Sequence, residues 1–246
     1  MTGEAELRAA LAAAGPGVRL WWRDDDAGQP HPRLDRLLAL AERHEAPVAL
    51  AVVPAWLEPA CTATILSCGL ATVLQHGIAH RDHAPEGERK IELGGGADPS
   101  TLRRDLAQGQ QDLARAFGAR FQPVLVPPWN RIAPALLPDL PGLGFVACST
   151  FWSPCTAPIS VPGPRRLDTH LDLVAWREDG RPLSFAEAAS RLANLLRTDL
   201  DEPIGILSHH RVMDEDAFAA LDRLLAVVQH GPGPKLIGIP SLLRDA

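Results

Sequence analysis

The sequence predicts an α/β protein built on a parallel β-barrel. Two observations carry this: short β-rich runs alternate with amphipathic helical stretches along the whole chain, and there are seven or eight such units, a number that suits a closed barrel better than an open sheet. The composition fits a packed domain, with 46% hydrophobic and 22% charged residues in 246. No internal repeat or dividing linker interrupts it, so residues 1–246 read as one domain with its core at about 18–215.

The elements follow in order. The predicted strands are 18–25 (VRLWWRDD), 47–53 (PVALAVV), 71–75 (ATVLQ), 123–126 (PVLV), 145–150 (FVACST), 171–176 (LDLVAW), 204–208 (IGILS) and 235–239 (KLIGI). Helices are predicted at 32–44, 58–67, 99–118, 184–198 and 214–230, each with Leu and Ala at spacings of three and four. Ser184 with Glu187, and Asp214, are starting signals, and Gly118 is a stop. Two Pro/Gly-rich stretches, 82–99 and 153–166, are predicted as long loops over one end of the barrel.

Charge and composition exclude several classes. A net charge of −6 and a pI near 5.8 argue against a nucleic-acid scaffold. Every apolar run is broken before the roughly 20 residues a membrane span needs. The start, MTGEAELRAALAAAGPG, is acidic rather than basic and reads as an amphipathic helix, so the expected location is cytoplasmic. Cys61, Cys68, Cys148 and Cys155 show no CxxC spacing and are expected to be isolated thiols.

Four polar constellations follow predicted strands. Arg23-Asp24-Asp25-Asp26-Ala27 places three carboxylates in succession, whose repulsion calls for a cation or positive neighbour. Strand alternation forbids all three from facing one site, and the triplet alone is equally a solvated acidic turn. His76-Gly77-Ile78-Ala79-His80, followed by His83, would put three imidazoles on one face if the segment were helical, a spacing that suits a metal. With nine histidines in the chain this spacing is unspecific, and the absence of HExxH removes a zincin reading. Val126-Pro127-Pro128-Trp129-Asn130 predicts a rigid turn with outward Trp129 and Asn130 amides, or simply a stiff loop with a packing Trp. In Leu207-Ser208-His209-His210 only one histidine can face the barrel axis, and His209 is the expected one. All four lie at the C-terminal ends of parallel strands, the rim where barrel active sites assemble.

These segments, in this order, resemble the polysaccharide deacetylases with the NodB homology domain, carbohydrate esterase family 4. Their TFDDG-like, H[ST]xxH, RxPxG-like and LxH motifs match residues 23–27, 76–80, 126–130 and 207–209, and the resemblance spans about 18–215. It implies a distorted (β/α)7 barrel. By position it implies Asp25 as catalytic base, Asp26, His76 and His80 as metal ligands, His209 as general acid, and the Trp129 N–H as oxyanion donor. Asp24 stands where the family has an aromatic residue. Val126 replaces the arginine that holds the catalytic aspartate, with Arg131 or Arg23 as candidates to take its place. Gly77 replaces Ser/Thr in the second motif. The fourth motif, an acid and a groove Trp, has no clear match beyond Asp168, Trp152 and Trp176.

The implied activity is metal-dependent hydrolysis of an N- or O-acetyl group on a sugar or related small amide. The implied cofactor is a divalent ion, zinc first, with cobalt, iron, nickel or manganese as alternatives. The competing reading is a noncatalytic carbohydrate-binding or regulatory relative. No nucleic-acid partner is expected. His31, His83, His170 and His210 receive no role, although His83 is the one expected nearest the site.

Overall fold

A computed structural model describes residues 3–152, 163–176, 179–198 and 200–244. Eight strands form it: β1 (Leu20–Ala27), β2 (Val48–Val52), β3 (Ala71–His76), β4 (Phe121–Val126), β5 (Ala147–Cys148), β6 (Arg165–Arg166), β7 (Leu171–Asp172) and β8 (Ile204–Ser208). Every pairing is parallel, in the order β6-β5-β4-β3-β2-β1-β8-β7.

The two ends of this order belong to one stretch of chain. Thr169 N–H donates to Thr150 on the β5 side, whereas His170 N–H donates to Gly205 of β8. Residues 165–172 therefore bridge the first and last neighbours, and eight strands occupy seven positions around a distorted barrel.

The helices are α1 (Gly3–Ala13), α2 (Pro32–Arg43), α3 (Pro59–Ser67), α4 (Pro99–Phe117), α5 (Phe185–Leu196), α6 (Glu215–His230) and α7 (Ile239–Arg244). Their starts use local chemistry. Asp98 caps α4 through Thr101 N–H, Ser184 and Glu187 form a full capping box on α5, and Asp214 caps α6 through Ala217 N–H. Gly118, at φ 53°, ends α4 as predicted.

Apolar residues separate into two main layers by strand alternation. Trp22, Leu50, Val52, Val73 and Ile206 face outward onto α1, α2, α5 and α6. Trp21, Ala49, Ala51, Leu74, Val124 and Val126 face inward, where Ile239 and Leu242 of α7 join them.

The predicted strand at 235–239 does not form. Leu236 makes a single bridge to Leu20, and the chain then enters α7. Pro240 has no N–H to give a ladder, but suits the first turn of a helix. Conversely, β6 forms inside the stretch expected to be loop, while 153–162, including Cys155, lies outside the described residues. Cys61, Cys68 and Cys148 are free and buried, and burial pushes the Cys148 thiol up to about 12. No helix among the described residues is long and apolar enough to cross a membrane.

Candidate metal and catalytic site

The end of β1 departs from simple alternation. Arg23 and Asp24 pair with Ala49 and Leu50, but Ala27 pairs with Val52, so β1 carries one extra residue in a bulge. Asp26 takes φ 70° there. The bulge turns Asp26 to the same side as Asp25, while Asp24 points outward. Two carboxylates thus share the site, where an unbroken strand would present only alternate ones.

Asp26 meets two histidines. Its Oδ1 lies 3.2 Å from His76 Nε2 and 3.3 Å from His80 Nε2. His76 ends β3, and its Nδ1 lies 2.9 Å from the Val126 carbonyl; donation there leaves the Nε2 lone pair facing Asp26. His80 does not sit on a helix. The segment after His76 is an irregular turn in which Gly77 and His80 both have φ 56°. This turn, not helical spacing, brings the imidazoles together. His83 lies apart from the set, with Nδ1 2.8 Å from the Glu92 carbonyl.

The three groups fit a divalent cation. Asp26, His76 and His80 can each offer one ligand atom, all within 4.8 Å of one another. Asp26 Oδ1 is buried and has no hydrogen-bond partner of good geometry among the described residues. Burial pushes the Asp26 carboxyl up, but the close approach of His76 and the neighbouring His209 and His80 outweigh it and hold it well below the usual range. For His76, burial opposes protonation, yet Asp26 and Asp25 hold its pKa above the ordinary value. Burial and neighbouring His76 depress His80. The set attracts positive charge, and its one-carboxylate, two-imidazole chemistry suits a transition metal.

Asp25 is held by Arg23, its neighbour on the same face of β1. The Arg23 Nε approaches Asp25 Oδ1 at 2.8 Å, and Nη2 donates to Oδ2 at 3.0 Å. Arg23 is fully buried and also donates to the Ser149 carbonyl and hydroxyl and to Asn130 Oδ1. Of the two arginines considered to replace the one missing at Val126, Arg23 makes this contact. Arg131 instead donates to the Lys90 carbonyl.

Across the rim stands His209, at the end of β8. Its Nε2 is 4.0 Å from Asp25 Oδ2, and its Nδ1 faces Asp172 Oδ1 at 3.7 Å. Burial pushes the Asp172 carboxyl up, against the opposing charge of His209. Half-exposed Trp176 meets the His209 ring nearly at right angles, 5.2 Å between centroids. His210 points the other way. It is fully buried, with Nδ1 2.5 Å from Asp24 Oδ1, and Ser208 Oγ donates to the other Asp24 oxygen.

The Pro127-Pro128 turn puts Trp129 and Asn130 in the left-handed region, at φ 54° and 56°. Asn130 N–H donates to Pro127, correcting the expectation that both turn amides are free; Trp129 N–H has no backbone acceptor among the described residues. The Trp129 ring packs on His80 at 4.4 Å between centroids. Trp56 lies on His80 as well, at 5.4 Å.

Several residues fall elsewhere. Asp168 is tied to Arg166 and Thr150, and Trp152 stacks on His170, away from the metal set. His31 caps α2 by accepting from Arg33 N–H. His170 accepts from Gly205 N–H. Asp172 was missed by the motif reading, although its place at the start of a predicted strand adjoining β8 was a usable signal. The Arg23–Asp25 pair was legible as opposite charges two apart on a strand.

No protein-family model matches this sequence, and no curated protein matches it. Solved structures do. One designated a polysaccharide deacetylase, from Mycobacterium smegmatis, is 18% identical, with 95% of this chain and 91% of that chain covered and a TM-score of 0.73. A family 4 acetyl xylan esterase from Clostridium thermocellum in complex with a cobalt ion is 14% identical, with 92% and 90% covered and a TM-score of 0.61. BA3943, a CE4 family pseudoenzyme from Bacillus anthracis, is 12% identical, with 92% and 65% covered and a TM-score of 0.59. The chain therefore has the fold of the carbohydrate esterase family 4 deacetylases, in a sequence far diverged from them.

Proposed function

We propose that the protein is a metal-dependent deacetylase that hydrolyses an N- or O-acetyl group on a sugar or related small molecule. The observation that carries this is one rim holding Asp26, His76 and His80 as a cation-ready set, with Arg23-held Asp25 on one side and Asp172-faced His209 on the other. Asp26, His76 and His80 would hold the ion, zinc first among the candidates. A divalent ion there supplies Lewis acidity, which acidifies water and polarises an acetyl carbonyl.

The protein groups supply the proton transfers and orientation. Asp25 takes the proton of the attacking water, with Arg23 holding its carboxylate in place through both oxygens. The Trp129 N–H is directed at the oxygen that gains charge as water adds to the carbonyl carbon. As the C–N or C–O bond breaks, His209 delivers the Nε2 proton to the departing amine or alkoxide, and acetate leaves. Half-exposed Trp176, beside His209, offers aromatic surface to sugar C–H groups.

The noncatalytic reading rested on the loss of the family arginine at Val126, and a pseudoenzyme does share the fold. The Arg23–Asp25 contact favours the enzyme, because it restores a cation to the base from another position. Elemental analysis of wild type beside His80→Ala, followed by acetate release from acetylated sugars, tests the proposal. About one divalent ion per wild-type chain only, with acetate released, is the expected result. Metal without turnover on any acetylated amide or ester would favour the noncatalytic relative. No metal after reconstitution would refute the site.

A further inference from the structure

Glu92 lies in the 82–99 loop, outside the four motifs and 12 residues after His80, and is only 1% exposed. Its carboxylate accepts three backbone N–H groups from the turn that carries His80. Ile78 donates to Oε2 at 2.9 Å, and Ala79 and Arg81 donate to Oε1 at 2.8 and 3.0 Å. Successive amides converging in this way form an anion-binding nest, here filled by an internal carboxylate. Three backbone donors thus satisfy the buried carboxylate.

The loop that delivers Glu92 is itself fixed on both flanks. His83 N–H donates to the Ile91 carbonyl, Leu93 pairs with Ile132, and Ala133 N–H donates to the Leu93 carbonyl. Glu92 thereby joins the turn of His80 to the turn of Trp129. Gly77 has a matching constraint: a Cβ there would lie 2.0 Å from Glu92 Oε2 and 2.6 Å from Pro128 Cδ, at a φ of +56°. The Ser/Thr of the resembling motif has no room in this chain.

We infer that Glu92 is a positioning residue for the metal set, whose carboxylate holds the His80 turn in its left-handed conformation in place of a local hydroxyl at position 77. This rests on the metal reading of Asp26, His76 and His80 and extends it to a residue outside the motifs. Without the carboxylate, three inward amides lose their acceptor, and the turn is free to carry His80 Nε2 away from Asp26.

The test compares metal-free wild type, Glu92→Gln and Glu92→Ala, each titrated with Zn²⁺ against a chelator and with Co²⁺ followed by visible absorption. Ser184→Ala, at the distant α5 cap, reports simple destabilisation. Glu92→Ala is expected to weaken zinc binding about 10- to 100-fold and to change the Co²⁺ spectrum. Glu92→Gln should fall between, because one amide oxygen can keep Ala79 and Arg81 while its NH₂ opposes Ile78 N–H. Ser184→Ala should leave affinity and spectrum unchanged. Folded Glu92 variants that match wild type in both readouts would overturn the inference while leaving the metal site intact. If Glu92→Ala does not fold, Glu92→Gln decides alone by the same criteria. A wild type that takes up no metal overturns the metal reading and this inference together.

Discussion

Arg23 contributes through a contact that depends on burial. Its guanidinium is fully enclosed, so a neutral replacement leaves Asp25 as a buried unpaired carboxylate. Arg23→Met is expected to cost about 3–5 kcal/mol of stability. It should keep metal, because Asp26, His76 and His80 are untouched, and lose most turnover; metal content and acetate release on the same sample check this. His209→Asn should lower turnover on amides by about 10²–10⁴ with metal retained, and by less on esters with good leaving groups, which need no proton. Equal losses on both substrate types would remove the acid role.

Asp172 gives a pH test whose sign follows from burial. Its folded pKa is raised, so the folded chain binds this proton more tightly than the unfolded chain does. The stability it contributes is present at low pH and is lost as pH rises through the folded pKa. Asp172→Asn carries no such dependence, so its melting temperature relative to wild type should rise from about pH 4 to 7. Turnover should fall, because the group facing His209 Nδ1 has changed. A relative melting temperature that falls over this range would contradict the burial argument.

Individual elements place these residues and tolerate change according to their packing. The α5 capping box satisfies amides at the start of a helix that buries Ala189, Leu192 and Ala193 against α1 and α6. Ser184→Ala should cost about 1 kcal/mol, read as a fall of about 2–4 °C in melting temperature. Within the sheet, the bulge in interior strand β1 matters more than any propensity. It is the step that gives Asp25 and Asp26 a common face, and the carbonyl of Asp26 is secured by Arg211 Nε.

For the whole molecule, the barrel brings chain-distant segments to one rim: β1 supplies Arg23, Asp25 and Asp26, the β3 end supplies His76 and His80, and the β7–β8 end supplies Asp172 and His209. On the proposed metal reading, a bound ion would tie β1 to β3. Zinc at about 100 times its dissociation constant should therefore stabilise the fold by about 2.7 kcal/mol, and His76→Ala should show no such gain in a thermal melt. An equal gain in both proteins would place the binding elsewhere.

Much of this architecture was legible from local pattern. Alternating helical and β periodicity located the central strands and five helices, because burying one face imposes a period on sequence. Polar residues at the ends of those strands marked the rim, and alternation separated His209 from His210. What local pattern left undecided depended on contacts across the chain. The turn that brings His80 to His76 follows from Glu92 and Gly77, the orientation of Asp26 from an irregular pairing with β2, and the partner of His209 from a strand only two residues long. Past a single bridge at Leu236 the chain enters α7, whose Ile239 and Leu242 join the inner layer where a strand was expected. Periodicity records which faces are buried, whereas a site is fixed by distances between side chains on different strands, and those distances exist only once the barrel has closed.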